Sequence, residues 1–370
     1  MSKENINRRG FFKKASAISA TAAAALSFEE RDLLAYQEQQ QQGGRGPGRG
    51  PQGTPNGPGG QFGMGRMASQ TLTPGPMPMG KLGNLKLSRL IAGHNLVGFQ
   101  AHSRDLIYVS QLLRAYFTDD KILETWQRCE EFGINASFLR VERNMLGLAK
   151  RHKDRGGKMQ WIAQIVVNEQ DQSHDIDMAM ELGASAAYIR GLEGDRFWKS
   201  GRPDIIAKGI EKIQSYKIPV ALASHEIDTL IWSEQQKFPV DFYVKTFNNA
   251  QYWSSEKPVK PNPGWKPSEK ELAQSEFGNA THDNIWETKP HATAQFFSKL
   301  KKPWVAYKVL AAGAIYPREG VKYAFDNGAD FVCIGMYDFQ LIEDVSIVKE
   351  LLAGKDLERK RDWIAEPTTA

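Results

Sequence analysis

From Lys81 onward, eight short β-rich runs alternate with amphipathic helical patterns, and no long all-β section interrupts them. That alternation constrains the fold more than any other feature, because it requires a parallel sheet with helical crossovers. The expected strands are Ser88–Asn95, Ala136–Glu142, Met159–Val167, Ser185–Gly191, Pro219–Glu226, Asp241–Phe247, Trp304–Leu310 and Asp330–Met336. Helices are expected between them, among them Asp119–Phe132, Ile176–Leu182, Ile205–Tyr216 and Glu319–Asn327. Gly133, Gly183 and Gly328 are placed as helix stops ahead of the next strand. Eight strand–helix units fit a (β/α)8 TIM barrel, which takes about 250 residues. A doubly wound sheet is the alternative, but no G-x-G-x-x-G turn follows the first strand.

The residues ahead of the barrel read as address and tether. Asn7-Arg8-Arg9-Gly10-Phe11-Phe12-Lys13-Lys14, followed by a weakly apolar stretch from Ala15 to Leu26, has the layout of a secretory signal. The paired arginines, phenylalanines and lysine resemble a twin-arginine (Tat) signal, which implies Tat export machinery as a partner and a periplasmic or extracellular location. A basic amphipathic helix on a membrane or partner is the alternative. Between Gly43 and Gly80, 20 of 38 residues are Gly or Pro, too few apolar groups to offset the entropy of ordering. The expected organisation is a signal segment (1–27), a flexible Gly/Pro/Gln-rich linker (28–80), the barrel (81–353, with an insertion at about 248–292) and a C-terminal tail (354–370).

Charge excludes some functions. The chain carries +5 in all, but residues 1–80 hold nine Lys/Arg against five Asp/Glu, so the tail accounts for +4. A nucleic-acid-binding face on the body is not supported. Two cysteines, Cys129 and Cys333, make neither a disulfide framework nor a metal cluster. No apolar run of 18 or more residues offers a membrane span.

Leu87-Ser88-Arg89-Leu90-Ile91-Ala92-Gly93, then Gly133-Ile134-Asn135, resembles the opening of the aldo/keto reductases. Pro317-Arg318-Glu319 and Ile334-Gly335-Met336, with Gln340, Glu343 and Asp344, are similar to that family's last barrel unit. The resemblance implies the same barrel. It does not carry the family's Asp, Tyr, Lys and His, whose positions here read Phe138, Arg143, Gln164 and Arg190-Gly191. Tyr337-Asp338-Phe339 likewise lacks a cation for the 2′-phosphate of NADP. The resemblance therefore implies a scaffold, and hydride transfer would need a rebuilt proton donor such as Tyr188 or Tyr307.

Catalytic groups of such barrels project from the C-terminal strand ends. Those ends supply His94 and Asn95, Arg140 and Glu142, Gln164, Arg190, His225 and Glu226, Lys245, Lys308, and Asp338 beyond the last strand. Lys308, His225, Glu142 and His94 are the expected catalytic set, with a structural Lys308–Glu142 ion pair as the competing reading. Arg140, Arg190, Gln164, Lys245, Glu226 and Asp338 are expected to bind substrate, together with Trp253 and Trp286 of the insertion. Because neighbouring strand residues face opposite sides, only one of His225 and Glu226 enters a regular barrel. No H-x-H or H-E-x-x-H spacing supports a metal site. Gly313 and Gly335 sit where barrels cradle phosphate and are equally ordinary turn residues.

The expected function is acid/base chemistry on a small carbohydrate-like or carbonyl substrate by an exported enzyme. A divergent NADP-dependent oxidoreductase and a non-catalytic binding protein are the alternatives. The acid/base reading requires no cofactor, and NADP or a divalent metal is left open.

Overall fold

The computed structural model describes residues 72–100, 102, 108–252 and 287–368, all within the unit Arg66–Ala370. The signal segment, most of the linker, Trp253, Trp265 and Trp286 lie outside the described residues. Among those residues no helix is long and apolar enough to cross a membrane.

The described chain opens with an antiparallel hairpin, β1 (Met79–Leu82) and β2 (Leu85–Ser88). Eight parallel strands follow. They are β3 (Leu90–Ala92), β4 (Ala136–Arg140), β5 (Gln160–Ile165), β6 (Ala186–Ile189), β7 (Val220–Ser224), β8 (Phe242–Thr246), β9 (Trp304–Tyr307) and β10 (Phe331–Ile334). They close in sequence order, with β10 pairing back onto β3. The chain forms a TIM barrel, and each of the eight barrel strands lies inside one of the eight expected runs. A last short strand, β11 (Pro367–Thr368), pairs with β1 and completes a three-stranded sheet at the amino-terminal end.

The helices are α1 (Val109–Tyr116), α2 (Asp119–Glu131), α3 (Arg143–Asp154), α4 (His174–Leu182), α5 (Gly191–Lys199), α6 (Pro203–Ser215), α7 (Ile227–Gln235), α8 (Pro290–Lys299), α9 (Pro317–Asp326) and α10 (Leu341–Ala353). Local chemistry sets their ends. The Thr118 side chain accepts from the Lys121 N–H to cap α2, and Asp119 and Asp120 meet the positive end of its dipole. Gly133, Gly183 and Gly328 all have positive φ, as helix-stopping glycines do. The sequence patterns gave no notice of α1, nor of α5, which starts immediately after β6.

Alternation along the strands decides what faces inward. Ile91, Phe138, Ile162, Tyr188, Ala223, Val244, Val305 and Cys333 fill the barrel, and Leu82, Leu87 and Ala365 plug it from below. The plug carries a buried charge network. Arg89 donates to the Asp330 and Ala365 carbonyls (2.9 and 2.7 Å) and lies 4.0 Å from the Trp363 ring centroid. The Asp330 carboxylate accepts from Arg361 and from the Ile364 and Ala365 N–H groups, each at 2.9 Å, and from Trp304 N–H at 3.1 Å.

Candidate active site at the C-terminal mouth

The opposite end holds a cavity of about 230 Å³. Phe138, Tyr188, Tyr307 and Cys333 form its floor from the barrel interior, and Gln164 forms one wall. Residues following β3, β9 and β10 build the rim, including His94, Asn95, Lys308, Tyr337 and Gln340. Gln164 Nε2 donates to the Tyr188 hydroxyl at 2.9 Å, which positions both groups.

Lys308 reaches the rim because β9 ends abruptly. Its φ is +57°, and Ala311 and Ala312 also take positive φ (46° and 57°). L-residues pay about 1 kcal/mol for each such conformation, so this turn stores strain beside the cavity. The Lys308 ammonium stands 5.7 Å from the Tyr307 ring centroid.

His225 follows inward-facing Ala223 by two residues, and the same parity directs it inward. It sits beside Tyr307, ring centroids 6.0 Å apart, rather than in the cavity wall. Its partner is Asp195 of α5. One carboxylate oxygen accepts from His225 Nδ1 at 2.8 Å and from the His225 backbone N–H at 3.0 Å. The other accepts from Thr229 Oγ1 at 2.6 Å. This anchoring places the imidazole proton on Nδ1 and leaves Nε2 as the acceptor. Burial, then the Lys308 charge, push the imidazole down to about 4 against the opposing pull of Asp195. Burial raises the Asp195 carboxyl, but its hydrogen bonds outweigh that and hold it below the ordinary carboxylate value. Near neutral pH the pair is therefore a carboxylate bound to a neutral imidazole.

Asp195 is the partner of an expected site residue that sequence reasoning missed. It comes from a helix rather than a strand end, and it reaches β7 only through Gly194. A Cβ at Gly194 would stand 2.5 Å from the Ala223 carbonyl oxygen. An aspartate next to a glycine, early in a helix that follows a strand, is the signal available in the sequence.

His94 lies at the rim, only 5% exposed. Neither ring nitrogen has a hydrogen-bonding partner among the described residues. The ring packs over the turn at Gly98, where a Cβ would stand 2.2 Å from Nε2. Burial, then the Arg140 charge, push its pKa down to about 3.

Several expected site residues are engaged elsewhere. Glu142 pairs with Arg140 at 2.7 Å, the partner that sequence reasoning had offered to Lys308. Arg190 is clamped by both oxygens of Glu193 at 2.6 Å. Lys245 alternates with inward Val244, so it points into the helix layer and not to the mouth. There it is fully buried with Glu287 at 2.6 Å and donates to the His225 and Thr246 carbonyls. Glu226 stands at the start of α7 and accepts from Thr288 Oγ1 at 3.2 Å. Asp338 turns away from the cavity to the Tyr116 hydroxyl and Lys121. Among the described residues no three His, Cys, Asp or Glu side chains are grouped to hold one metal ion.

No protein-family profile and no curated protein matches the chain. Solved structures similar to it include an aldo-keto reductase from Bacillus halodurans, 11% identical, covering 74% of this chain and 91% of that one, with a TM-score of 0.48. An aldo/keto reductase from Brucella melitensis is 8% identical, covers 73% and 93%, and has a TM-score of 0.46. A truncated 3-deoxy-D-arabino-heptulosonate 7-phosphate synthase from Thermotoga maritima is 13% identical, covers 75% and 92%, and has a TM-score of 0.41. Likeness at this level carries no activity from those proteins to this chain.

Proposed function

We propose that the mouth performs acid/base chemistry on a small hydroxylated carbonyl compound of carbohydrate type. The observation that carries the reading is the Asp195–His225 pair standing next to Lys308 at the C-terminal end of the barrel. A neutral imidazole with a fixed tautomer accepts a proton from a carbon next to a carbonyl. The Lys308 ammonium balances the negative charge that develops on the carbonyl oxygen. Gln164 and the Tyr188 hydroxyl supply neutral hydrogen bonds for hydroxyl groups.

The oxidoreductase alternative draws less support. Burial moves the phenols of Tyr188 and Tyr307 up and the His225 imidazole down, so the preference rests on the Asp195–His225 hydrogen bond, which orients a base beside Lys308.

The test is solvent exchange. Full-length protein is incubated in D2O with a panel of aldoses and ketoses, and deuterium next to the carbonyl is followed by proton NMR. Exchange is expected for at least one compound, falling about a hundredfold or more in His225→Gln and in Asp195→Asn. Exchange that both variants retain, or exchange with no compound of the panel, overturns the reading. Export through twin-arginine machinery belongs to the same proposal, supported by Arg8-Arg9 and the alanine-rich stretch behind them. Cell fractionation that keeps the full chain in the cytoplasm removes that part.

A further inference from the structure

Beside the cavity, three aromatic rings stack into a column that runs from the core to solvent. Phe117 is buried and lies 5.3 Å from Tyr337 with planes at 20°. Tyr337 lies 5.0 Å from Phe339 at 14°, and Phe339 is 65% exposed. Tyr116 braces all three edge-on, at 81°, 79° and 88° to their planes. Its hydroxyl donates to Asp338, the residue between the two outer rings, which Lys121 also holds at 3.2 Å. The exposed ring is thus fixed before any ligand arrives, and little ordering entropy remains to be lost on binding.

We propose that this column is a second binding subsite, and that the molecule taken at the mouth is a glycoside whose sugar ring, bearing a ketone at one carbon, enters the cavity while an aromatic aglycone lies on Phe339. The inference rests on the carbohydrate reading given above and adds to it a substrate class.

Three observations support the occupant. Tyr337 is both a wall of the cavity and the middle ring of the column, so the two surfaces are continuous. The cavity, at about 230 Å³, falls below the roughly 300–1,000 Å³ of sites for larger ligands, so a second ring has to extend past the rim. The surface beyond carries exposed apolar side chains. Leu112 is 65% exposed one turn from Tyr116 on α1, and neither it nor Phe339 offers a hydrogen bond. The charges beside it are paired with one another: Asp338 is met by Lys121 at 3.2 Å and by Arg128 at 3.7 Å, and Lys121 also meets Glu124 at 2.8 Å. A flat apolar ring fits that surface better than a second hydroxylated one.

The experiment uses full-length protein with matched methyl and 4-nitrophenyl β-D-glucosides and β-D-galactosides, which keep the ring and the aglycone, lack the ketone and so report binding alone. Calorimetry gives affinities, and saturation-transfer NMR reports which ligand protons touch the protein. The nitrophenyl member of one pair is expected to bind roughly tenfold tighter than its methyl partner, with saturation reaching the aryl protons. In Phe339→Ala the advantage and the aryl saturation are lost while sugar saturation persists, and Phe339→Trp restores both. Phe339 is exposed, so thermal melts of the variants are expected to match the parent. Equal binding of each pair overturns the inference alone if solvent exchange of a carbonyl sugar still depends on His225. Binding of no glycoside together with no exchange overturns both readings. Affinity for a nicotinamide nucleotide that falls in Phe339→Ala, with no preference among the glycosides, replaces the aglycone with a cofactor and overturns the inference.

Discussion

At the amino-terminal end of the barrel, Arg89, Asp330 and Arg361 are buried and every one is met by hydrogen bonds from the plug or the strand ends. At the carboxyl-terminal end, His94 is equally buried with neither ring nitrogen partnered among the described residues, and three non-glycine residues of the Lys308–Gly313 turn hold positive φ. The lower end leaves Arg361 Nε and Arg359 Nη2 unpartnered while their other nitrogens are bonded, whereas His94 above has no partner at either nitrogen among the described residues. A ring left without any partner beside backbone strain fits a surface that serves a ligand, and charges tied to several backbone groups fit one that serves the fold.

The contrast is broken most directly at Asp330. Asp330→Ala removes the acceptor of four hydrogen bonds and leaves Arg361 buried without its carboxylate. A loss of about 3–5 kcal/mol is expected by urea unfolding, with solvent exchange per folded molecule unchanged. A small change in stability, or exchange lost in the folded fraction, would show that the plug is not a separate structural device.

An intermediate effect is expected from pH. His94 and His225 titrate near 3 and 4 in the fold and near 6.5 unfolded, so the unfolded chain binds more protons between those values. Stability therefore falls as pH drops from about 6.5 toward about 4, and rises again with pH across that window. Replacing His94 with Leu removes one of these groups. At pH 7 the change is expected to be within about 1 kcal/mol, because no hydrogen bond is lost. At pH 4.5 the variant is expected to gain about 2 kcal/mol on the parent. Parallel stability–pH curves for the two proteins would contradict the burial of a neutral imidazole.

The smallest effect sharpens the contrast at Lys308. Glycine accepts φ of +57° without the Cβ penalty, so Lys308→Gly is expected to stabilise by up to about 1 kcal/mol while solvent exchange is lost. Loss of the lysine charge also raises the His225 pKa, readable by NMR titration. A destabilised variant with unchanged exchange would make the turn structural.

Much of the scaffold was legible because strand parity and helix stops are local. All eight strands, and Lys308 and His94 at the rim, follow from runs of β-branched residues and from the ends of those runs. The pairings were not legible, because each depends on a distance that no local pattern encodes. Glu142 meets Arg140, Lys245 meets Glu287, and His225 meets a helix residue thirty positions earlier. Lys245 was misplaced for a different reason. Its strand reads as polar at the end, and only the register with Val244 shows that it faces outward. The ring column needed two segments far apart in the chain, Tyr116-Phe117 and Tyr337–Phe339, and α1 carried no pattern strong enough to place the first.

The pairing of β1 with β11 also sets how the molecule meets mechanical force. Met79 lies opposite Thr368 in an antiparallel pair, so the first and last described strands begin and end side by side. A pull on the two ends opens such a pair one hydrogen bond at a time, as a zipper, instead of shearing all its bonds together. The plug peels before the barrel is loaded, and the resistance that follows rests on Arg89, Asp330 and Arg361 holding the strand ends beneath it.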